Sequence, residues 1–136
     1  MTPAERHGSG GPYEEAIGYS RVVVHGDQAW TAGCTATVDG VVVCEGDAHG
    51  QALAAFGIGL AALERAGFAV GDVVQTRMYV VDVATWSGDV GRAHGELFRS
   101  VRPAATMVGV TALVDPRMLV EVELVASRDR SAEVPA

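Results

Sequence analysis

The chain has 136 residues, 49% of them hydrophobic, a net charge of −7 and a pI near 4.9. That length suits one domain with a sizeable core. The acidic balance, with all ten basic residues arginine and no lysine, argues against a nucleic-acid surface, which needs clustered Lys and Arg. No apolar run reaches the ~20 residues of a membrane span, and the first residues lack the plan of a signal peptide, so a soluble cytoplasmic protein is expected.

Residues 1–12 cluster Gly8, Gly10, Gly11 and Pro12 without periodicity and read as a flexible N-terminal arm. A single domain is expected over 13–127. Residues 21–25 form a first strand, and Gly26-Asp27 turns the chain. Residues 29–37 form a second strand with Trp30, Ala32 and Cys34 on one face. Asp39-Gly40 is a hairpin signal, leading to a third strand over 41–44. Cys34 and Cys44 flank that turn. A two-residue turn puts them out of register and a three-residue turn would pair them; a reducing compartment favours free thiols. Two cysteines and four scattered histidines give no zinc spacing.

Asp47 is placed to cap a helix over about 48–66. Leu53, Phe56, Leu60 and Leu63 recur at three or four residues as its apolar stripe. Ala55, Gly57, Gly59, Ala61 and Ala62 keep it slim enough to approach a sheet, and Gly67 ends it. Residues 73–81 read as the fourth strand, with Val74, Thr76, Met78 and Val80 on one face and Gln75, Arg77, Tyr79 and Val81 on the other. A second helix runs to Phe98 from about Ser87. Residues 106–110 and 119–126 are the last strands, separated by a turn at Val114-Asp115-Pro116-Arg117. In the final strand Val120, Val122 and Leu124 share one face, and Leu119, Glu121, Glu123 and Val125 share the other. Residues 128–136 read as a frayed tail.

The order β-β-β-α-β-α-β-β implies an α+β fold with both helices on one face of a six-stranded, mainly antiparallel sheet. The other face mixes Gln75, Arg77, Glu121 and Glu123 with Tyr79, Leu119 and Val125. Such a face suits a contact between subunits of a symmetric oligomer.

Pro103-Ala104-Ala105-Thr106, a hydrophobic strand, a turn and Val-Glu-Val-Glu-Leu-Val-Ala over 120–126 resemble the C-terminal signature of the reactive intermediate deaminase family (RidA/YjgF). Three further blocks match in order. They are Gly26-Asp27 through Ala32-Gly33, the helix led by Gln51 and closed by Ala66-Gly67, and Gly71-Asp72 through Tyr79 and Asp82. The resemblance covers about residues 19–126. It implies a chorismate-mutase-like fold, homotrimers with active sites in clefts between subunits, and hydrolysis of reactive imines or enamines to carbonyl compounds and ammonia without metal or organic cofactor. By residue, the family's acidic group matches Glu121 and its aromatic wall matches Tyr19. Its Ser-Gly pair matches Ala32-Gly33, followed here by Cys34. Its carboxylate-binding arginine matches Ala105, the residue that helps place water matches Met107, and an asparagine of the second helix matches Gly91. The frame is retained while three polar contacts are lost. Either the substrate lacks a carboxylate, or Arg21, Arg92 or Arg102 holds it in place of the missing arginine.

Each of these residues has a plainer reading. Glu121 is a proton relay or half of an interface ion pair with Arg77. Tyr19 is a substrate wall or an ordinary interface aromatic. Cys34 is a nucleophile or inert packing. His94 is an acid-base group near Glu121 or a core-edge histidine. Trp30, Trp86 and Met107 read as packing or lining. At the level of function, an imine or enamine hydrolase stands against a trimeric metabolite-binding or regulatory module that has lost catalysis. A ribonuclease is disfavoured by charge.

Overall fold

The computed structural model describes residues 3–133; those parts of the expected N-terminal arm and C-terminal tail that fall on residues 1–2 and 134–136 lie outside the described residues. The elements are β1 (Glu5–His7), β2 (Val22–His25), β3 (Gln28–Thr31), β4 (Cys34–Thr35), β5 (Thr37–Val38), β6 (Val41–Val42), α1 (Ala48–Arg65), β7 (Val73–Val81), α2 (Val83–Phe98), β8 (Ala104–Val110) and β9 (Val120–Ser127). Seven strands form the main sheet in the order β1-β2-β3-β9-β7-β8, with β4 also pairing β9, and β5-β6 make a separate hairpin. The α+β class and the two helices hold, while the strand count rises above six.

The last two strands do not pair with each other. β9 runs antiparallel between β3 and β7, and β8 lies parallel to β7 on its far side. A parallel neighbour needs a crossover, and α2 supplies it. Residues 111–119 therefore carry the chain past β7 instead of closing a hairpin.

Alternation on β9 decides the layers. Val120, Val122, Leu124 and Ala126 are at most 1% exposed, and the residues between them are half-buried. The buried side packs under α1 and α2 with Phe56, Leu63, Phe98 and Val80. Each such side chain contributes about 1.5–3 kcal/mol by burial. Asp47 accepts the Gly50 amide at 2.9 Å and starts α1 as expected. The helix face that meets the sheet is narrower than the leucine spacing implied. Ala48, Ala52, Ala55, Phe56, Gly59, Ala62 and Leu63 are buried, whereas Leu53 and Leu60 are only partly buried beside them. A methyl at Gly59 would approach Leu124 Cδ1 to 2.8 Å, while one at Gly57 meets open space. Close packing thus accounts for Gly59 alone. The second helix starts at Val83, four residues before the expected Ser87, behind Asp82 at φ 50°.

Two irregularities reverse expected faces. In β7 a register shift between Val73 and Gln75 buries Val73 and exposes Val74. Between β3 and β4, Trp30 opposes Val125 and Cys34 opposes Val122. Thr31, Ala32 and Gly33 therefore face only Glu123 and Leu124. This one-residue bulge flips the alternation. Trp30 is 39% exposed and Cys34 only 2%, so the two do not share a face. The Leu124 amide donates to the Thr31 hydroxyl at 3.0 Å, which satisfies it across the bulge.

The chain ends depart from the expected arm and tail. Glu5, Arg6 and His7 pair with Val24, Val23 and Val22. Arg128 and Arg130 dock on the β2-β3 turn, where their amides donate to the Asp27 carbonyl at 2.9 Å and the Asp27 carboxylate at 3.1 Å. Asp39 and Gly40 both have positive φ, which matches the right-handed twist of a two-residue hairpin.

Candidate functional site

The bulge builds the site. Glu121 lies on the helix-free side of β9, opposite Thr35 of β4 and Tyr79 of β7. Its carboxylate rests on Gly33. A methyl there would overlap Glu121 Oε1 and approach its Cδ to 2.8 Å, so only glycine leaves room for this seat. Among the described residues the Glu121 carboxylate makes no hydrogen bond and no salt bridge. Burial pushes its carboxyl above the usual range, Glu123 two residues along adds to this, and Arg21 opposes it. The proposed ion pair with Arg77 is absent within the chain. Arg77 stands across from Glu123, and Glu123 takes the Tyr79 hydroxyl as a donor. That bond, then burial, raises the Tyr79 phenol.

A five-residue turn, Glu14–Gly18, delivers Tyr19 to the same place, closed by the Tyr19 amide on the Glu14 carbonyl at 2.9 Å. Arg21 stands just before β2 and reaches back. Its Nη1 donates to the Gly33 carbonyl at 2.7 Å and to Cys34 Sγ at 3.6 Å, and its Nη2 donates to the Tyr19 hydroxyl at 3.4 Å. Glu14 Oε2 lies 3.9 Å from Nη2. Burial would raise the Glu14 carboxyl, but donors from Ser9 and Gly11 bring it below its ordinary value. Cys34 and Cys44 are both free thiols, and burial pushes Cys34 up against the pull of Arg21. Cys34 is therefore a poor nucleophile and serves as packing beneath the site. Beside Tyr19 a depression of about 510 Å³ is lined by Arg6, Glu15, Val23, Trp30 and Ala32.

Of the expected site residues, Tyr19, Gly33, Cys34 and Glu121 come together. The others do not. Ala105 and Met107 sit beside Thr76 and Met78 in β8, on the helix-covered side of the sheet. Met107 packs against the core, and Ala105 is exposed. Gly91 is exposed on α2. Arg102 is exposed in the loop before β8 at φ 58°, and Arg92 pairs with Asp89 at 3.1 Å on the surface of α2. His94 is also remote. Its Nε2 shares a 2.8 Å hydrogen bond with the Thr76 hydroxyl, its ring packs among Phe56 and Phe98, and burial lowers its affinity for a proton. The core-edge reading of His94 holds.

Sequence reasoning missed Glu14, Thr35 and the bracing role of Arg21. The first two become visible only with the bulge register and the turn in hand. Arg21 stood out as a cation, but its contacts run to residues up to 13 positions away.

The fold and site define a small α+β protein with a half-buried carboxylate on the uncovered face of its sheet, free of hydrogen bonds among the described residues. The family described as Endoribonuclease L-PSP matches residues 13–128. Rv2704 of Mycobacterium tuberculosis, a member of the YjgF/YER057c/UK114 family, is 38% identical, with a TM-score of 0.82 covering 93% of this chain and 100% of that one. PA3499 of Pseudomonas aeruginosa, a protein of unknown function, is 32% identical with a TM-score of 0.80, covering 93% and 94%. The uncharacterized protein SCO2049 of Streptomyces coelicolor is 40% identical over 120 residues, 88% of this chain and 89% of that one. The chain belongs to the Endoribonuclease L-PSP family, the YjgF/Rid proteins.

Proposed function

We propose that this protein hydrolyses a reactive imine or enamine to a carbonyl compound and ammonia, a metabolite damage control activity, with Glu121 as the proton relay. One observation carries the reading. Glu121 rests on Gly33, yet among the described residues its oxygens are bound by no donor, and its proton affinity is raised. A carboxylate of that kind is suited to general acid-base work. As the water oxygen bonds to the imine carbon, Glu121 takes a proton from the water and passes it to the imine nitrogen, giving a carbinolamine. Glu121 then takes the hydroxyl proton and returns it to the nitrogen as the C–N bond breaks, leaving C=O and ammonia. Tyr19 walls the substrate and limits its orientations.

The site is completed in this reading by a second copy. Tyr19, Gly33 and Glu121 lie on one face of the sheet, and Ala105 and Met107 on the other, so they can share one cleft only across an interface. A cytoplasmic homotrimer in which the β8 edge of one subunit meets the helix-free face of the next supplies that cleft and buries the outward Trp30 and Val108. Arginine is absent at position 105, so the substrate preferred is an imine without a carboxylate.

A second reading, a trimeric module that binds a metabolite without consuming it, is favoured by the joint absence of polar side chains at Ala32, Gly91 and Ala105. An assay decides between them. Oxidases generate imines from a panel of amino acids and from an amine lacking a carboxylate, and semicarbazide traps what remains. Accelerated hydrolysis that falls at least about a hundredfold in Glu121→Gln is the expected result. A metabolite that raises the melting temperature and is recovered intact, with no acceleration on any imine, sinks the hydrolase.

A further inference from the structure

We propose that Arg21 is the positioning residue of the Glu121 site: its guanidinium ties the Gly33 carbonyl to the Tyr19 hydroxyl and presents the positive charge that Glu121 faces. The inference rests on the reading of Glu121 as a proton relay.

The geometry is that of a brace. One nitrogen donates to the Gly33 carbonyl at 2.7 Å and the other to the Tyr19 hydroxyl at 3.4 Å, with the guanidinium 5.5 Å above the Tyr19 ring. Gly33 is the surface on which the Glu121 carboxylate rests. Both walls of the site are thus held by one planar fork, a geometry lysine cannot reproduce. The Arg21 side chain is only 13% exposed, and so buried a cation needs a countercharge. Glu14 supplies it from 3.9 Å and is itself fixed by the Ser9 amide at 2.9 Å and the Gly11 amide at 3.3 Å. The N-terminal glycine-rich segment is thereby wired to the site. With both terminal nitrogens directed at protein atoms, Arg21 is a scaffold for Tyr19 and Gly33 and a poor anchor for a substrate carboxylate.

The groups facing Glu121 identify what the charge does. Its own strand brings Glu123; β7 brings Tyr79 across from it and Arg77 across from Glu123; β4 brings Thr35 and Cys34; the N-terminal turn brings Tyr19 against Arg21. Arg77 is exposed, which leaves Arg21 as the buried cation of the set. Without it Glu121 shares its half-buried place with Glu123 alone, and its proton is held more tightly.

The test uses the full chain with ¹³C-labelled glutamate. The side-chain resonance of Glu121, assigned by its absence in Glu121→Gln, is titrated in the wild type, Arg21→Gln and Arg21→Lys. Arg21→Gln is expected to move the Glu121 midpoint up by about one pH unit. Arg21→Lys is expected to return it near the wild-type value yet to lose about tenfold or more in kcat, because a point charge does not hold both walls. A folded Arg21→Gln with an unmoved midpoint overturns the proposal. Should Arg21→Gln fail to fold, Arg21→Lys decides, since wild-type kcat there also overturns it. The titration needs no substrate, so a wild-type protein inactive on every imine defeats the hydrolase reading while the Arg21 assignment is still read from the resonance.

Discussion

The middle of the sheet and its β8 edge differ in how their side chains are held. Around the β3-β4 bulge, Tyr19, Arg21, Gly33 and Glu121 are locked together by hydrogen bonds and by one close approach. Along β8, Ala104 and Ala105 are exposed small residues, and the nearest cation in sequence, Arg102, stands in the preceding loop. Chemistry persists where several groups hold one another, because changing any one of them strands the rest. A single anchor on an edge strand can be lost without disturbing the fold. In the proposed reading, the proton relay is kept and the grip on the substrate is changed.

The largest effect should come from the bulge. Gly33→Ala forces Glu121 off its seat, and turnover should drop about as far as it does in Glu121→Gln, a hundredfold or more. The melting temperature should drop too, and adding Glu121→Gly should restore it without restoring activity, a coupling that a double-mutant cycle measures. Wild-type turnover in Gly33→Ala would refute the seat. On the β8 edge, Ala105→Arg tests the bare strand. It should shift the ratio of kcat/KM for carboxylate-bearing over carboxylate-free imines by roughly tenfold to a hundredfold and leave the melting temperature nearly unchanged. An unaltered ratio would mean that β8 does not face the substrate.

A smaller effect sharpens the comparison further. The Glu121 carboxyl binds its proton more tightly in the folded chain than in the unfolded one. Stability from this group is therefore present below the unfolded value, 4.5, and is lost as pH rises through the folded value. Glu121→Gln should accordingly be more stable than the wild type at pH 7, by about 1 kcal/mol or roughly 4 °C, and should converge with it in acid. If Glu121 were instead half of an ion pair between subunits, the same substitution would lower the melting temperature at pH 7, and calorimetry across pH separates the two.

Much of this fold could be read from local chemistry. Asp47 caps α1, Asp39-Gly40 turns a hairpin, and β9 alternates without a fault. What escaped reading depends on register and pairing. A bulge shifts the phase of a strand while leaving its composition alone, so Trp30 and Val74 moved to the open face with no mark in the sequence. β1 escaped because three polar residues acquire strand structure only by pairing with β2. Glu121, Tyr19 and Gly33 were legible because the resemblance preserves them in place. The link from Ser9 through Glu14 to Arg21 was not, since it depends on a turn that brings distant donors onto one carboxylate.

Glu5 and Arg130 approach to 3.8 Å, and Arg130 also reaches the Gly26 carbonyl at 3.2 Å. The strand that opens the sheet and the turn that follows its last strand therefore share one corner. A short flexible linker could join them there, and new ends could be cut at the exposed Asp39-Gly40 tip. The same fold would then be reached by a circularly permuted chain, with the segment carrying Ser9, Glu14 and Arg21 tethered at both sides.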